Sequence, residues 1–382
     1  FCLGLKACRL ARDPQSSPKL SRGAVMDDAS AAELAHVREA LKRRFGIEAS
    51  EIKLLDAGST PNHFVEASTG SRYLVKALRT RLGDWVAENA LQVTALAAHA
   101  AANGLPTPAP VRTTQGDLVA VEPGPGEGEE THFVAFEWAD GYQRADRLLS
   151  AEPGAEGAVL ARLGELLALL HSMPLPEGVT LLAPEAPGGH CLCDMGTFME
   201  CASEPASLFK GQDSEHAAWF RGQLPALTAL WAKMPGPRVF CHGDAYLDNV
   251  MVKANGTAFD LMLVDWEDSN ATNPVVDLAA CAVGTCFTLS LGEGSEAKSV
   301  ELVQGRLAAL VSGYERKRPL SAEERALLRP SMQACAWACG AFRYGRFLEG
   351  VSDLKTVRYY ELIAASKILE DMGPSFEEMA FA

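Results

Sequence analysis

Apolar positions fall into short runs over the first third of the chain and into helical repeats over most of the rest. Residues 31–45 fit an amphipathic helix, with Ser30-Ala31-Ala32-Glu33 as a capping box at its start. Short β-like runs follow at 52–55, 63–67 and 73–78. The turn-rich stretches Gly58-Ser59-Thr60-Pro61-Asn62 and Thr69-Gly70-Ser71 separate them. Residues 84–103 are Ala-rich and read as one long helix, stopped by Gly104 and then Pro106. Two more strands are predicted near 118–121 and 133–137, with a Gly- and Glu-crowded loop at 123–130 between them. After Tyr142 the period changes: Leu160, Leu163, Leu167 and Leu170 recur at helical spacing. Residues 174–214 are loop-rich, and three helices are expected across 298–370. The pattern predicts an α+β chain: a small antiparallel β-sheet lobe with one long helix over 26–141, then a larger, mostly helical lobe over 142–382.

Composition narrows the function classes. The 382 residues are 48% hydrophobic and 22% charged, enough for two cored lobes. No apolar run approaches the roughly 18 residues of a membrane helix, so no membrane partner is expected. A net charge of −14 argues against a nucleic-acid partner and tolerates a cationic substrate. The ten cysteines lack metal-ligand spacing and read as reduced thiols of an intracellular protein. Residues 1–25 differ: Lys6, Arg9, Arg12, Lys19 and Arg22 face only Asp13. Such a basic, Ser-containing leader suits an organelle transit peptide. The other reading starts the protein at Met26 and leaves it cytoplasmic.

The chemistry concentrates in Val239-Phe240-Cys241-His242-Gly243-Asp244-Ala245-Tyr246-Leu247-Asp248-Asn249-Val250-Met251-Val252. An apolar strand enters a His-Gly-Asp turn, and Asn249 follows before a second apolar strand. A third, Leu261-Met262-Leu263-Val264, runs into Asp265-Trp266-Glu267. Asn249 and Asp265 are equidistant from Thr257, beside the Asn255-Gly256 turn signal. A hairpin with its tip near Thr257 therefore brings them together, with Asp244 one loop away. An amide and two carboxylates at one spot suit a hard cation with oxygen ligands, such as magnesium, and a carboxylate to take a proton. Upstream, Lys76 lies inside the apolar run Tyr73-Leu74-Val75-Lys76-Ala77-Leu78, where an ammonium needs a partner. A phosphate and Glu88, on the following helix, would supply one.

These residues resemble the aminoglycoside phosphotransferase and choline kinase superfamily, small-molecule kinases with a protein-kinase-like bilobal fold. The likeness spans about 45–370 and rests on His242-Gly243-Asp244, Asn249 and the strand ending at Asp265. It implies ATP and Mg2+ as cofactors and a small molecule with a hydroxyl as acceptor. By it Asp244 is the catalytic base, Asn249 and Asp265 are metal ligands, and Lys76 contacts the α/β-phosphates with Glu88 as partner. Phe136-Glu137-Trp138-Ala139 resembles the hinge whose backbone holds adenine, giving Glu137 and Ala139 that role. His242 and Asp277 support the catalytic loop, and His171 falls on a leucine-histidine element of the family. The phosphate loop is glycine-poor, so Ser59, Thr60 and Asn62 are the phosphate hydrogen-bond donors.

The acceptor stays open between amino acids and amino alcohols, with an aminoglycoside or other small metabolite as the alternative. The Pro106 and Gly313-Tyr314-Glu315 stretches resemble homoserine kinases of this fold, whereas Trp266-Glu267 is closer to choline-type kinases. Glu267 and Asp268 suit an ammonium; Arg343 and Arg346 would suit a carboxylate. A protein kinase is disfavoured because the stretch from Asp265 to Asp277 leaves no room for a peptide platform and no Ala-Pro-Glu follows. A catalytically inactive nucleotide-binding protein of the same fold is the alternative from another class.

Overall fold

A computed structural model describes residues 31–55, 61–79, 84–124, 128–179, 181, 204–234, 236–291, 297–350 and 358–381. For 84–88, 289–291 and 297–298 it describes the backbone alone. The leader at 1–25, Ser30, Ser59 and Thr60 lie outside the described residues. The chain divides into two compact units. One runs to Ala102 and resumes at Thr107–Asp140; the other joins Asn103–Pro106 to Gly141–Ala382.

In the first unit, helix α1 (Ala31–Ala40) runs into one wider turn, Leu41–Phe45. Then come β1 (Ala49–Leu55), β2 (Asn62–Ala67), β3 (Arg72–Arg79), α2 (Asp84–Ala102), β4 (Pro110–Val111), β5 (Ala120–Pro123) and β6 (Glu130–Glu137). The strands form one antiparallel sheet in the order β1-β2-β3-β6-β4, with β5 also paired to β6. Burial alternates along β2, with His63, Val65 and Ala67 inward, as the two-residue period of a strand requires. On that face Val65, Val75 and Phe133 pack with Val37, Leu41 and Phe45 of α1 and its turn. Leu78 and Val134 pack with Ala90 of α2. Strand β5 runs further than the pattern predicts, through Pro123. It pairs on one side only, so Pro123 has no ladder bond to lose there.

The second unit contains β7 (Gln143–Arg144), α3 (Ala145–Ala151), α4 (Glu156–Leu170), α5 (Glu215–Ala232), β8 (Val239–Cys241), β9 (Val250–Asn255), β10 (Ala258–Leu263) and β11 (Asn270–Thr272). It continues with α6 (Pro274–Thr285), β12 (Phe287–Leu291), β13 (Ala297–Leu302), α7 (Gln304–Glu315), α8 (Ala322–Leu348), α9 (Tyr359–Met372) and α10 (Ser375–Ala380). Small antiparallel groupings, β10-β9-β7 and β11-β8, are set among the helices. Three helices do occupy the expected region, but Lys298 belongs to β13, paired with β12. Its surroundings Ser299-Val300-Glu301-Leu302 alternate with a period of two, a strand signal at a predicted helix start. Helix α5 was not legible because Gly222 and Pro225 interrupt it, although Ser214 caps it by accepting from the Ala217 N–H at 3.1 Å.

Candidate functional site

Strands β9 and β10 pair as a tight hairpin, Asn255 opposite Ala258 and Val250 opposite Leu263. The ladder continues one step further, where the Val264 N–H donates to the Asn249 carbonyl at 3.0 Å. Asn249 and Asp265 thus flank the open end, as the equal spacing from the turn predicts. Asp265 is exposed and holds φ 70, a left-handed backbone that aspartate tolerates better than most side chains. The Asn249 side chain reaches back through Nδ2 to Asp244, donating to its carbonyl at 2.9 Å and to Oδ2 at 2.7 Å. With Nδ2 so used, Oδ1 turns away from Asp244 and is available as an oxygen ligand.

Asp244 is half-buried. Burial pushes its carboxyl well above the usual carboxylate range, and Asp268, Asp248 and Asp265 push it the same way. The like charges of Asp268, Asp248 and Asp265 that act on Asp244 would be relieved by a cation bound near them. This donor set is hard oxygen throughout, so the residues fit a divalent ion of the magnesium or calcium type.

The turn before Asp244 is fixed from behind. His242 is buried, and burial holds its imidazole below the ordinary histidine value, so the ring is neutral. Its Nδ1 accepts from the Asp244 N–H at 3.3 Å, and Nε2–H donates to the Val264 carbonyl at 3.1 Å. One imidazole thereby ties the His-Gly-Asp turn to the strand that delivers Asp265. Gly243 holds φ 80, and a Cβ there would overlap the Asp268 carbonyl, so the backbone and the neighbouring loop both demand glycine.

Asp277 lies in the first turn of α6, which Asn273 caps by accepting from the Val275 N–H at 2.9 Å. Its Oδ1 accepts from the Gly243 N–H at 2.8 Å; its Oδ2 accepts from the His242 N–H at 3.0 Å and from His171 at 2.9 Å. Burial alone would raise this carboxyl, but the hydrogen bonds from His171 and from the Gly243 N–H outweigh it and hold it below the usual range. His171, Cys241 and Asp277 place possible ligand atoms within 4.8 Å of one another. Both His171 nitrogens and both Asp277 oxygens already have partners, and burial pushes the Cys241 thiol well up. The trio is a hydrogen-bonded brace rather than a metal site.

Glu267 and Asp268 form the turn after Trp266, both half-buried. Asp268 is the charge that bears most on Asp244. Tyr246, which motif reasoning did not single out, places its hydroxyl 3.9 Å from the Cys339 sulfur and so links the catalytic-loop region to α8. Asp248 was noted only as the neighbour of Asn249, yet its charge also reaches Asp244. Tyr314 was noted only as part of a stretch; its hydroxyl lies 2.7 Å from His171 Nδ1, across a sequence separation no local pattern reveals.

In the first unit, the β2–β3 register sets Asn62 directly opposite Lys76, so their side chains share one face of the sheet. That face carries Leu78 and Val134, on which α2 packs through Ala90. Glu88 falls on α2, with its side chain outside the described residues. At the end of β6, Glu137 is exposed and its N–H donates to the Ala109 carbonyl at 3.0 Å. The Ala139 backbone makes no hydrogen bond among the described residues.

Comparison with known proteins bears on the family and the fold. A profile of the phosphotransferase enzyme family matches residues 51–320. No curated protein matches the sequence. Among solved structures, an amicoumacin kinase in complex with AMP-PNP, Ca2+ and Ami is similar at a TM-score of 0.61 and 12% identity, covering 89% of this chain and 94% of its own. A microcompartment-associated aminopropanol kinase is similar at 0.61 and 14%, covering 91% and 99%. A choline/ethanolamine kinase family protein from Mesorhizobium loti is similar at 0.59 and 17%, covering 91% and 98%. At these identities the likeness establishes the fold, the α+β fold of protein-kinase-like small-molecule kinases.

Proposed function

The chain belongs to the phosphotransferase enzyme family, and from that premise we propose that it is an ATP- and magnesium-dependent kinase of a small amino alcohol or amino acid. The observation that carries the reading is the Asp244–Asn249–Asp265 constellation, held by His242 and Asp277. Asp244 takes the proton of the acceptor hydroxyl as its oxygen bonds to the γ-phosphorus and the bond to ADP breaks. Asn249 Oδ1 and Asp265 hold the metal, which when bound neutralises charge on the phosphates. Lys76 would contact the phosphates with Glu88 as its partner, and Ser59, Thr60 or Asn62 would donate hydrogen bonds to phosphate oxygens. The backbone at Glu137 and Ala139 meets the adenine. His242 and Asp277 position the loop and touch no substrate.

The acidic surroundings of Asp244 favour an acceptor with an ammonium group, met by Asp268 and Glu267. Two of the similar structures are kinases of choline or ethanolamine type and of aminopropanol. A homoserine-like acceptor would further need Arg343 or Arg346 for its carboxylate. The test is ADP release and phosphorus NMR of the product after incubation with ATP, magnesium and, separately, ethanolamine, choline, homoserine and an aminoglycoside. Phosphorylation of ethanolamine or choline is expected. No transfer to any of the four would refute the reading and favour an inactive nucleotide-binding protein.

A further inference from the structure

We infer that Tyr314 is a positioning residue for the transfer: its hydroxyl anchors the His171 ring that donates to Asp277, and Asp277 in turn holds the backbone N–H groups of His242 and Gly243 ahead of Asp244. The inference rests on the kinase reading for its consequence, while its geometry stands independently.

The hydrogen placement follows from the partners. Asp277 is 1% exposed and accepts from two backbone N–H groups, so it acts as an acceptor. His171 Nε2, 2.9 Å away, must then carry a hydrogen. His171 Nδ1 lies 2.7 Å from the Tyr314 oxygen, and in a neutral ring it accepts the tyrosine hydrogen. Tyr314 is fully buried, and burial pushes its phenol up, so it keeps that hydrogen. The Arg318 guanidinium lies over the Tyr314 ring at 5.9 Å and is paired with Glu324 at 2.7 Å. Its positive charge turns the oxygen lone pairs toward itself and the hydrogen toward His171.

The fold brings Tyr314 to this place deliberately. Helices α4 and α7 cross at two reciprocal notches. A Cβ on Gly164 would overlap the Leu310 carbonyl, and one on Gly313 would overlap the Ala161 carbonyl. Only glycines let the backbones approach this closely. Tyr314 follows one notch directly, and His171 caps the end of α4 beyond the other. A tyrosine that merely filled space would need no hydroxyl at this spot. Without the hydroxyl, Nδ1 loses its donor and the ring its anchor at that end, so the ring can swing and lengthen the Nε2–H bond to Asp277, which loosens the brace.

The test uses the full chain, labelled with 15N. Ring-nitrogen spectra, with His171 assigned by its loss in His171→Gln, should show a hydrogen on Nε2 and a bare Nδ1 in the wild type. Tyr314→Phe should shift the resonance of the bare Nδ1, which loses its donor, speed Gly243 amide exchange, and lower kcat with ethanolamine by ~10-fold while KM for ATP stays within about twofold. An amide at 171 donates to Asp277 without a ring for Tyr314 to anchor. In the His171→Gln background, Tyr314→Phe should therefore change Gly243 exchange and kcat by less than about twofold. A hydrogen on Nδ1 in the wild type overturns the inference. So does an equal loss from Tyr314→Phe in both backgrounds, the mark of a packing role, or no loss in either. Should Tyr314→Phe fail to fold, the wild-type ring spectrum decides. Should the wild type phosphorylate no acceptor, the kinase reading fails, while the ring spectra and Gly243 exchange still decide the positioning role.

Discussion

Replacing Asp244 by Asn keeps its size and its contact with Asn249 but removes the base. The Asp244→Asn protein should bind ATP within about threefold of wild type and transfer phosphate roughly 10²-fold more slowly. Isothermal titration and steady-state rates separate the two effects; near-normal turnover would remove Asp244 from the role of base. Gly243 tests the neighbouring residue by shape instead of charge. Its φ of 80 and the Asp268 carbonyl at its open side leave no space for a methyl group. Gly243→Ala should cost about 2 kcal/mol or more in urea unfolding. A loss under about 0.5 kcal/mol would show that the turn relaxes freely. These two substitutions act one residue apart through different physics, so the first should leave stability nearly untouched while the second lowers both stability and rate.

At the scale of elements, β3 is the test of the first unit. Lys76 shares a sheet face with Asn62 and stands inside an otherwise apolar strand. A charge-assisted contact to phosphate contributes about 1.5–3 kcal/mol. Lys76→Met should therefore raise KM for ATP by roughly 10-fold or more with the circular dichroism spectrum unchanged; an unaltered KM would place Lys76 on a solvated face with no ligand. The β9–β10 hairpin was legible because Asn249 and Asp265 are spaced equally about an Asn-Gly turn, and a two-residue loop fixes register. The β2–β3 pairing was legible for a similar reason, through Thr69-Gly70-Ser71. Helix α5 and the β12–β13 pair were missed. Pro225 masked the first, and the second needs a partner strand that a single run does not announce. Asn273-Pro274 was a readable helix start, cap followed by proline in the first turn, that pattern counting passed over. The link from Tyr314 to Asp277 was not readable at all. It exists only because glycines let α4 and α7 touch, and nothing local to either helix encodes the contact.

Over the whole molecule, buried histidines and buried carboxyls respond to acid in different windows. In the first unit, His63 is fully buried on β2, facing Glu33 of α1 and Arg79 of β3. Burial holds its imidazole below the ordinary histidine value, and burial with Arg79 and Arg43 does the same for His36. The unfolded chain then takes protons near pH 6.5 that the folded unit refuses. This contribution is complete above about 6.5 and drains away as pH falls through that value. In the second unit His242 is held down by burial and shares that window, whereas the depressed carboxyls respond lower. Asp277 is held down by its donors, and Glu324 by Arg318 and the Ser321 N–H, each against the opposing pull of burial. Their contribution is present above the usual carboxylate value of about 4 and is lost only as pH drops through the lower folded values. Between about pH 7 and pH 5, then, amides of β2 and β3, and those of β8 beside His242, should lose exchange protection while the carboxyl contribution is retained. Hydrogen exchange by mass spectrometry at the two pH values, corrected for intrinsic rates, reads this directly. His63→Phe, which fills the same core position without a titrating group, should remove most of the pH dependence from the first unit. An unchanged response in the His63→Phe protein would mean that the buried histidines do not set the acid limit of the sheet.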